Sequence, residues 1–588
     1  MKKKRILLAA LSACGVMLFA TACQKPAKQS LTLYADEEYQ YKIVCSTQID
    51  AEEASAITVF TDLLEKRCGK APELVYDSGA EDTEGVPEIL IGKLNRSESK
   101  LPDLKDQETY WCVTTKGEDI VINGSTSTAL WVAMDYFMSL CDYDKETAAF
   151  HVSGTLAEEH RQDGYYRDRW LLREIPSYWG NNELDGFVYD CGSIVTSKSA
   201  KEGACLMQTV RSTNATEAAS YAKLLTENGF KQVSHNTMEK NEFYRFTNDK
   251  CKISLNYFDT KGTAEVILDE SSIATTDISY SYEPKAGERA EVYLYGGLKH
   301  VNFDDPNRNM GVLGGTNMVI KCSDNSVILI DGGEEIAQFE DKEQAEFLEF
   351  LRRITGTAPG EKVRVSAWYI THGHGDHVNG VSAFLRKYTA NVNLERVILN
   401  LPSSSSVQVS ETVVGNIKKA VMLYNCQEVK VHTGDVLTIA DITMEVLFTH
   451  EDLTTANGVW DSQESNDASV VAKLTATDGM SLLMTGDMDV ASCAVLEKHF
   501  TTETMNSTLG LIPHHLYNKI PESWYKAVSP QYFLVGQSEY NINQNTTTTA
   551  QAALAKKHSG GLYCSGGSNY GFAYQNGRVA LIVEEKRN

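Results

Sequence analysis

Residues 371–377 read Thr-His-Gly-His-Gly-Asp-His and place three histidines and a carboxylate within six residues. They directly follow the apolar run 365–370, Val-Ser-Ala-Trp-Tyr-Ile, which predicts a buried strand that ends in a loop. Imidazole and carboxylate groups without thiolates are typical of a catalytic zinc-type site, not of a structural cysteine-rich one. Two glycines between the ligands let the backbone fold tightly around an ion. The sequence therefore predicts metal ligands at His372, His374, Asp376 and His377.

The chain from about residue 290 onward repeats one order of elements twice. In each half, a hairpin leads to a strand that ends in an acidic residue, and a helix then leads to a strand that ends in histidines. The first half has a turn at 323–326, the strand 327–330 ending in Asp331-Gly332-Gly333, a helix over 342–354, and the strand that leads to His372. The second half has a turn at 477–479, the strand 481–484 ending in Thr485-Gly486-Asp487, a helix over 490–500, and the strand 509–513 ending in His514-His515. If the halves pack face to face, their strand ends meet at one edge, and the predicted ligands of both halves then lie close together.

These motifs resemble those of the metallo-β-lactamase superfamily. The resemblance is carried by Asp331-Gly-Gly, His372-x-His374-x-Asp376-His377, Thr485-Gly-Asp487 and His514-His515. It covers roughly the last half of the chain. It implies the family's fold, a four-layer αββα sandwich with a metal centre at the edge of its two sheets. With the α/β patterns that precede this segment, the expected fold class is α/β multidomain.

The resemblance also implies a ligand set for two ions, with Zn²⁺ expected and Mn²⁺ as the alternative. Carried over by motif, the first ion would be bound by His372 and His374, and the second by Asp376, His377 and one histidine of the pair His514 and His515. We favour His514, because it is nearer the end of the strand. Asp487 would bridge the two ions.

Three acidic residues are expected to serve catalysis. Asp331 would hold the ligand loop by hydrogen bonds, as the outer partners of metal ligands usually do. Asp376 and Asp487 are the candidates for carrying a proton during the reaction.

The sequence departs from many family members in the window 463–469. Where they place a further metal-binding histidine, this chain reads Gln463-Glu-Ser-Asn-Asp-Ala-Ser469. That form is similar to the branch containing the extracellular nuclease-like domain of DNA-uptake competence proteins. That branch usually has Gly-Ser after its histidine pair, whereas this chain has Leu516-Tyr517. His450 would fill the missing position if its loop folded inward, and an ordinary loop histidine is the alternative.

The first 23 residues read as a lipoprotein signal peptide. A basic segment, 2–5, precedes an apolar segment, 6–22, that ends in small residues before Cys23. Cys14 also fits the cleavage pattern but leaves too short an apolar segment. We therefore expect an exported chain with lipid on Cys23, held at the outer face of a bacterial cytoplasmic membrane. A cleaved ordinary signal peptide is the alternative.

The amino-acid composition limits the kinds of binding partner that the chain can have. The net charge is −24, and such an acidic chain without Lys and Arg clusters is unsuited to non-specific nucleic-acid binding. The 13 cysteines are scattered singly without a CxxC motif, which favours free thiols over a disulfide framework. We expect a small-molecule or cell-wall polymer ester as the substrate.

Two smaller α/β domains are expected before the site. Residues 31–160 alternate strand and helix signals, with helices over 51–68 and 127–141, a strand at 88–92 and a hairpin at 110–124. This segment resembles the accessory domain that precedes the catalytic module of several glycoside hydrolases, where it is not catalytic. Residues 165–285 predict a helix over 215–228 and strands at 243–246, 251–257 and 264–268. The site domain would then span 290–588.

The predicted function is that of a surface-anchored metallohydrolase. Divalent ions lower the pKa of a bound water from about 15.7 to about 7, which supplies hydroxide at neutral pH. We favour a phosphodiesterase. A lactonase or β-lactamase is the enzyme alternative, and a glycan-binding lipoprotein with a degenerate metal site is the alternative outside enzymes.

Overall fold

The structure is a computed structural model. It describes residues 30–47, 49, 51–77, 86–105, 108–144, 147–153, 156–163, 170–172, 174–176, 178, 183–184, 188–192, 203–271, 279–296, 315–334, 340–403, 410–453 and 465–586. The predicted signal with Cys14 and Cys23 lies outside these residues, as do Gln463 and Glu464. Within them, no helix combines the length and apolarity needed to span a membrane. Contacts divide the chain into two compact units, Met1–Tyr166 and Arg167–Asn588, so the segments expected at 165–285 and 290–588 fall together in the second unit.

Among the described residues of the first unit, two helices accompany a mostly parallel sheet and a smaller antiparallel one. Its elements are β1 (Ser30–Ala35), β2 (Glu38–Tyr39), β3 (Lys42–Ser46), α1 (Ala51–Cys68), β4 (Leu74–Asp77), β5 (Glu88–Ile91), β6 (Glu108–Lys116), β7 (Asp119–Gly124), α2 (Ser127–Ser139), β8 (Cys141–Asp144), β9 (Ala149–Ser153) and β10 (Ala157–Asp163). The sheet orders are β10-β6-β7-β5-β3-β4 and β2-β1-β9-β8. Both predicted helices and the predicted hairpin are confirmed. Thr126 begins α2 by accepting a hydrogen bond from the Ala129 amide, which satisfies one of the free donors of the first turn.

The second unit opens with an antiparallel sheet and one helix. These elements are β11 (Glu183–Leu184), β12 (Tyr189–Asp190), β13 (Cys205–Arg211), α3 (Ala215–Glu227), β14 (Lys231–Met238), β15 (Asn241–Thr247), β16 (Lys252–Phe258) and β17 (Thr263–Asp269). The main order is β11-β13-β17-β16-β15-β14. The predicted helix and its three predicted strands are confirmed.

Two larger sheets follow in the same unit. Their strands are β18 (Tyr280–Ser281), β19 (Glu291–Leu294), β20 (Asn317–Lys321), β21 (Val327–Asp331), β22 (Val363–Tyr369), β23 (Val392–Leu394), β24 (Arg396–Leu399), β25 (Gln427–Lys430), β26 (Val436–Ala440), β27 (Ile442–Phe448), β28 (Val471–Ala476), β29 (Ser481–Met484), β30 (Leu509–Leu511), β31 (Tyr532–Val535), β32 (Leu562–Cys564), β33 (Ser568–Gln575) and β34 (Arg578–Lys586). Their helices are α4 (Glu340–Thr355), α5 (Gly375–Lys387), α6 (Glu411–Val421), α7 (Val490–His499), α8 (Thr502–Met505), α9 (Glu522–Val528), α10 (Glu539–Gln544) and α11 (Thr546–Lys557).

The two sheets face each other. One has the order β25-β24-β22-β21-β20-β19-β33-β34 with β23 beside β22, and the other has β18-β26-β27-β28-β29-β30-β31-β32. Ile328 and Ile330 of β21 share a buried cluster with Leu482 and Met484 of β29, so the central core lies between the sheets. Because side chains alternate along a strand, the next residues point outward.

The outward-facing residues contact helices. Val327 and Leu329 of β21 pack with Phe347 of α4 and Phe384 of α5. On the other sheet, Leu483 packs with Leu496 of α7 and Trp524 of α9. The layers are therefore helix, sheet, sheet and helix, and the predicted αββα sandwich is confirmed.

Both predicted half-repeats form parallel strand pairs. β21 pairs with β22 in the first half, and β29 pairs with β30 in the second. The carboxyl ends of these four strands lead to Asp331, to the loop 370–374, to Asp487 and to the segment 512–516. Ligands typically bind outside the carboxyl ends of parallel strands.

The small sheet packs on the sandwich through buried polar contacts. Nη2 of Arg245, on β15, donates to the Thr433 carbonyl over 2.7 Å, and its Nε donates to Asp435 Oδ1 over 2.6 Å. Nζ of Lys430, on β25, donates to the Cys191 carbonyl over 2.9 Å and lies 3.2 Å from Cys205 Sγ. The eleven cysteines of the described residues are all free thiols, as their scattered spacing predicted.

One of these contacts joins two carboxyl groups. Glu265 of β17 and Asp452, in the 3₁₀ turn His450–Leu453 that follows β27, are 3% and 2% exposed and interact electrostatically. Burial raises the pKa of Asp452 to about 6, although Oδ2 accepts hydrogen bonds from Thr433 and Thr449. Burial and the neighbouring Asp452 charge also raise the pKa of Glu265.

We expect Asp452→Asn to remove a pH-dependent loss of stability. The native state keeps the Asp452 proton up to about pH 6, whereas the unfolded chain loses it near its ordinary pKa of 3.8, so stability falls as pH rises between these values. The asparagine cannot ionise, so the variant should gain about 2–3 kcal/mol relative to the parent between pH 4 and pH 7.5. Urea unfolding at both pH values measures this gain. A stability difference that does not change with pH would contradict the assignment.

Candidate metal centre

Four of the predicted ligands lie where β22 leads into α5. His374 is the residue that precedes the first turn of α5, with extended φ and ψ of −93° and 154°. Asp376 and His377 then fall in the first helical turn. His372 and His377 are fully buried, while the Asp376 side chain is 35% exposed. The strand-loop-helix transition therefore turns three ligands inward and leaves one carboxylate open to solvent.

The first group of ligand atoms consists of His372, His374 and Asp487. Nε2 of His372 lies 3.1 Å from Nδ1 of His374 and 3.9 Å from Oδ2 of Asp487. One ligand atom from each residue lies within 4.8 Å of the others.

The second group consists of Asp376, His377, Asp487 and His515. Nε2 of His377 and Nε2 of His515 lie 3.1 Å and 3.5 Å from Oδ1 of Asp487. Nε2 of His515 also lies 3.4 Å from Oδ2 of Asp376. Asp487 thus presents one oxygen to each group, which is the geometry of a bridging carboxylate.

The structure places His515, and not the favoured His514, in the second group. Three consecutive residues, His514, His515 and Leu516, have φ values of 44°, 50° and 73°. Such left-handed conformations are costly for residues other than glycine and cluster at functional sites. The run turns the His515 ring into the centre, so proximity to the strand end does not decide which histidine is the ligand. His514 stays at the rim, with Nε2 3.9 Å from Asp487 Oδ2.

In three of the candidate ligand histidines, the ring nitrogen that faces away from the centre contacts an oxygen atom. Nδ1 of His377 lies 2.7 Å from Oδ2 of Asp331, and Nδ1 of His372 lies 3.1 Å from Oγ1 of Thr371. Nε2 of His374 contacts Oγ of Ser465. Partners of this kind fix the ring orientation and tautomer, so the other nitrogen of each ring faces the centre. Sequence reasoning predicted Asp331 but missed the two hydroxyl residues, which carry no motif of their own.

Asp331 is fully buried and connects the two strands of the first half-repeat. Its Oδ1 accepts the Thr371 amide over 2.8 Å, and its own carbonyl accepts from Nε1 of Trp368 over 2.9 Å. The two glycines that follow it serve different purposes, because Gly333 has a left-handed φ of 69° and Gly332 is closely packed. A Cβ on Gly332 would lie 2.5 Å from the Cβ of Val381, so the Asp-Gly-Gly motif lets α5 approach the end of β21.

The charges of the centre depend on one another. Burial alone would lower the pKa of His377, but Asp487 and Asp331 raise it well above its ordinary value. Burial would raise the pKa of Asp487, but His377 and His515 hold it well below its ordinary range. For His372, burial dominates and lowers the pKa. Asp487 is therefore ionised, and its charge is balanced by the histidines around it.

The donor set fits divalent cations. Imidazole nitrogens face each other at 3.1 Å in the first group and at 3.2 Å in the second, so that one cation could be bound by both members of each pair. His and carboxylate ligands suit zinc and manganese.

Asp331→Asn should weaken metal binding by about 10–100-fold, the usual cost of losing an outer hydrogen-bond partner. The amide cannot accept the His377 proton with the same strength, and the negative charge beside that ring is lost. Competition with a chromogenic chelator measures the affinity. Asp478→Asn, in the turn between β28 and β29, is the matched control and should bind metal as the parent does. Equal affinities in both variants would show that Asp331 does not support the ligands.

His450 does not complete the first group. It is fully buried in a 3₁₀ turn that follows β27, with Nδ1 3.0 Å from the Tyr189 hydroxyl and Nε2 3.0 Å from Asn400 Oδ1. Its loop does fold inward, but toward the small sheet. Among the described residues, His450 belongs to neither group of metal-ligand atoms.

Comparisons with known proteins give structural matches only. No family model matches the chain, and no curated protein matches it. The metallo hydrolase Igni18 of Ignicoccus hospitalis is 10% identical, with 49% of this chain and 100% of that chain covered and a TM-score of 0.29. The diiron β-hydroxylase CmlA of Streptomyces venezuelae is 11% identical, with 48% and 53% covered and a TM-score of 0.29. A metallo-β-lactamase of Cronobacter sakazakii is 13% identical, with 42% and 85% covered and a TM-score of 0.21. The chain spans about half of the length of CmlA.

Proposed function

We propose that this chain is a metal-dependent hydrolase of the metallo-β-lactamase superfamily that cleaves phosphodiesters. The observation that carries the proposal is the pair of ligand groups that share Asp487. Two divalent ions held there would act as Lewis acids and would activate a water molecule as the nucleophile. No thiol or serine nucleophile is required for this chemistry.

The residues of the chain have separable roles in the proposal. His372, His374, His377 and His515 would hold the ions, and Asp487 would contribute one oxygen to each ligand group. Asp376 has a second role, because its carboxylate is 35% exposed and can pass a proton to solvent. A positioned carboxylate of this kind contributes to general acid–base catalysis.

The acidic composition favours a phosphodiester outside nucleic acid, such as an ester decoration of a cell-wall polymer. A net charge of −24 opposes the approach of a polyanion, while a single phosphodiester next to bound cations carries little penalty. Export and lipid attachment at Cys23 belong to the same proposal, and the basic and apolar segments of residues 2–22 support them. An enzyme held at the cell surface would meet such polymers directly.

The test is hydrolysis of bis(p-nitrophenyl) phosphate by the chain supplied with Zn²⁺ or Mn²⁺, beside nitrocefin and p-nitrophenyl butyrate. We expect turnover of the phosphodiester, loss of turnover with chelator, and loss in Asp376→Asn but not in Asp478→Asn. Turnover of nitrocefin or of the carboxylic ester alone would contradict the phosphodiesterase proposal and would favour the β-lactamase or lactonase alternative. If the chain hydrolyses none of these substrates, and if it binds cell-wall glycan both before and after Asp376→Asn, the enzyme proposal is overturned. A binding lipoprotein is then the favoured function.

A further inference from the structure

The turn Ser465–Ala468 occupies the part of the chain where a further histidine ligand is absent, and it lies against the first ligand group. Ser465 Oγ contacts Nε2 of His374. Two further contacts fix the turn: Asp467 Oδ1 accepts the Asp489 amide over 3.1 Å, and Ser469 Oγ accepts the Asp487 amide over 2.9 Å. The turn is therefore tied to the same loop that carries the bridging carboxylate.

Asn466 is the residue of this turn that has unused hydrogen-bonding capacity. It is 6% exposed, and its Nδ2 lies 3.4 Å from Nε2 of His514. Its Oδ1 is buried without a hydrogen-bond partner among the described residues. Leaving a buried acceptor unsatisfied costs about 1–3 kcal/mol, so such an atom in a native structure calls for a partner.

The neighbours of Asn466 connect it to the first ligand group. One neighbour in sequence, Ser465, contacts His374 of the first group. Its neighbour in space, His514, lies 3.9 Å from Asp487 Oδ2, the same oxygen that lies 3.9 Å from His372. The carboxamide thus contacts His514 and follows Ser465 in the chain, and each of these lies next to a residue of the first group. Among the described residues, that group has three His or carboxylate ligands, fewer than the usual four.

We propose that the Asn466 carboxamide oxygen is the further ligand of the first ion, in place of the absent histidine. Ser465 assists by holding His374 in the tautomer that presents Nδ1 to the centre. The inference rests on the metal centre proposed above, but it concerns binding of the ion and not the reaction catalysed.

This ligand has a consequence for metal preference. Amide carbonyls and carboxylates suit Mn²⁺ and Mg²⁺, whereas imidazole suits Zn²⁺. Replacing one imidazole by a carboxamide leaves the first site with two histidines, as many as the second site has. We expect the first site to discriminate less against Mn²⁺ than a site with three histidines would.

The experiment is calorimetric titration of the metal-free chain with Mn²⁺ and, separately, with Zn²⁺. Asn466→Ala should weaken one of the two binding events at least tenfold and leave the other unchanged. Asn466→Asp, which keeps an oxygen at the same position, should restore it. Asn379→Ala, which removes a carboxamide on α5, is the matched control and should titrate as the parent does.

A double variant separates ligation from an indirect effect through His514. If the carboxamide binds the ion, Asn466→Ala weakens binding by a similar factor in a His514→Ala background. If the effect disappears in that background, or if Asn466→Ala alone binds two ions with unchanged affinity, the inference is overturned. A chain that shows the expected titrations and hydrolyses no phosphodiester would overturn the proposed function and leave this inference standing.

Discussion

Asp487→Ala is expected to lower the metal content of the chain from two ions to fewer than one and to abolish hydrolysis. Asp487 faces both ligand groups, with Oδ1 3.1 Å from His377 Nε2 and Oδ2 3.9 Å from His372 Nε2. Its removal also leaves His377 beside only one of the two carboxylates that raise the pKa of that ring. Lewis-acid stabilisation is worth several kcal/mol, and each 1.4 kcal/mol is tenfold in rate, so activity should fall by about 10³-fold or more.

The control for this variant lies two residues along the chain. Asp489 begins α7 by accepting the backbone amide of Val490, and its carboxylate belongs to neither ligand group. Asp489→Ala should cost about 1 kcal/mol of stability through the lost helix cap and should keep both ions. Elemental analysis and initial rates measure both variants. An Asp487→Ala chain that retains two ions would contradict the bridging role.

Arg245→Ala is expected to cost about 3–5 kcal/mol of folding stability, the usual effect of removing one partner from a buried ion pair. The guanidinium is buried between β15 and the turn 432–435, where it makes four hydrogen bonds: to Asp435 Oδ1, the Thr433 carbonyl, Asn256 Oδ1 and the Tyr244 carbonyl. The variant leaves the Asp435 carboxylate, 2% exposed, without its cation. It also removes one of the contacts that join the small sheet to the sandwich.

An exposed arginine provides the comparison. Arg364 pairs with Asp324 and Glu395, but its side chain is 42% exposed, so Arg364→Ala should cost no more than about 1 kcal/mol. Urea unfolding followed by circular dichroism gives both values. Equal losses in the two variants would show that the buried pair does not hold the sheets together.

Local sequence patterns predicted much of the fold. Alternating apolar residues such as Ile328 and Ile330 against Val327 and Leu329 specify a strand that is covered on both faces, which an αββα sandwich requires. The helix 51–68 is marked by its periodicity and by a glycine immediately after its end. Strands such as β4 and β13 were missed, because their sequences have weak patterns of their own and they form through partners distant in sequence.

Some residues of the candidate site were likewise predictable from local sequence, and others were not. His372, His374, Asp376 and His377 fall within one short motif, so their convergence follows from local chain geometry. The choice of His515 over His514 depends on three left-handed residues, which no propensity in the sequence signals. Ser465 contacts His374 across 91 positions of the chain, and Arg245 contacts Asp435 across 190. Such pairs are set by the packing of whole elements, and a single sequence does not reveal them.

The most direct measurement is the metal content of the purified chain by elemental mass spectrometry after it is supplied with zinc or manganese and freed of unbound ions. The shared carboxylate and the two ligand groups predict close to two ions per chain. No bound metal under these conditions would contradict the metal centre and, with it, the proposed hydrolase.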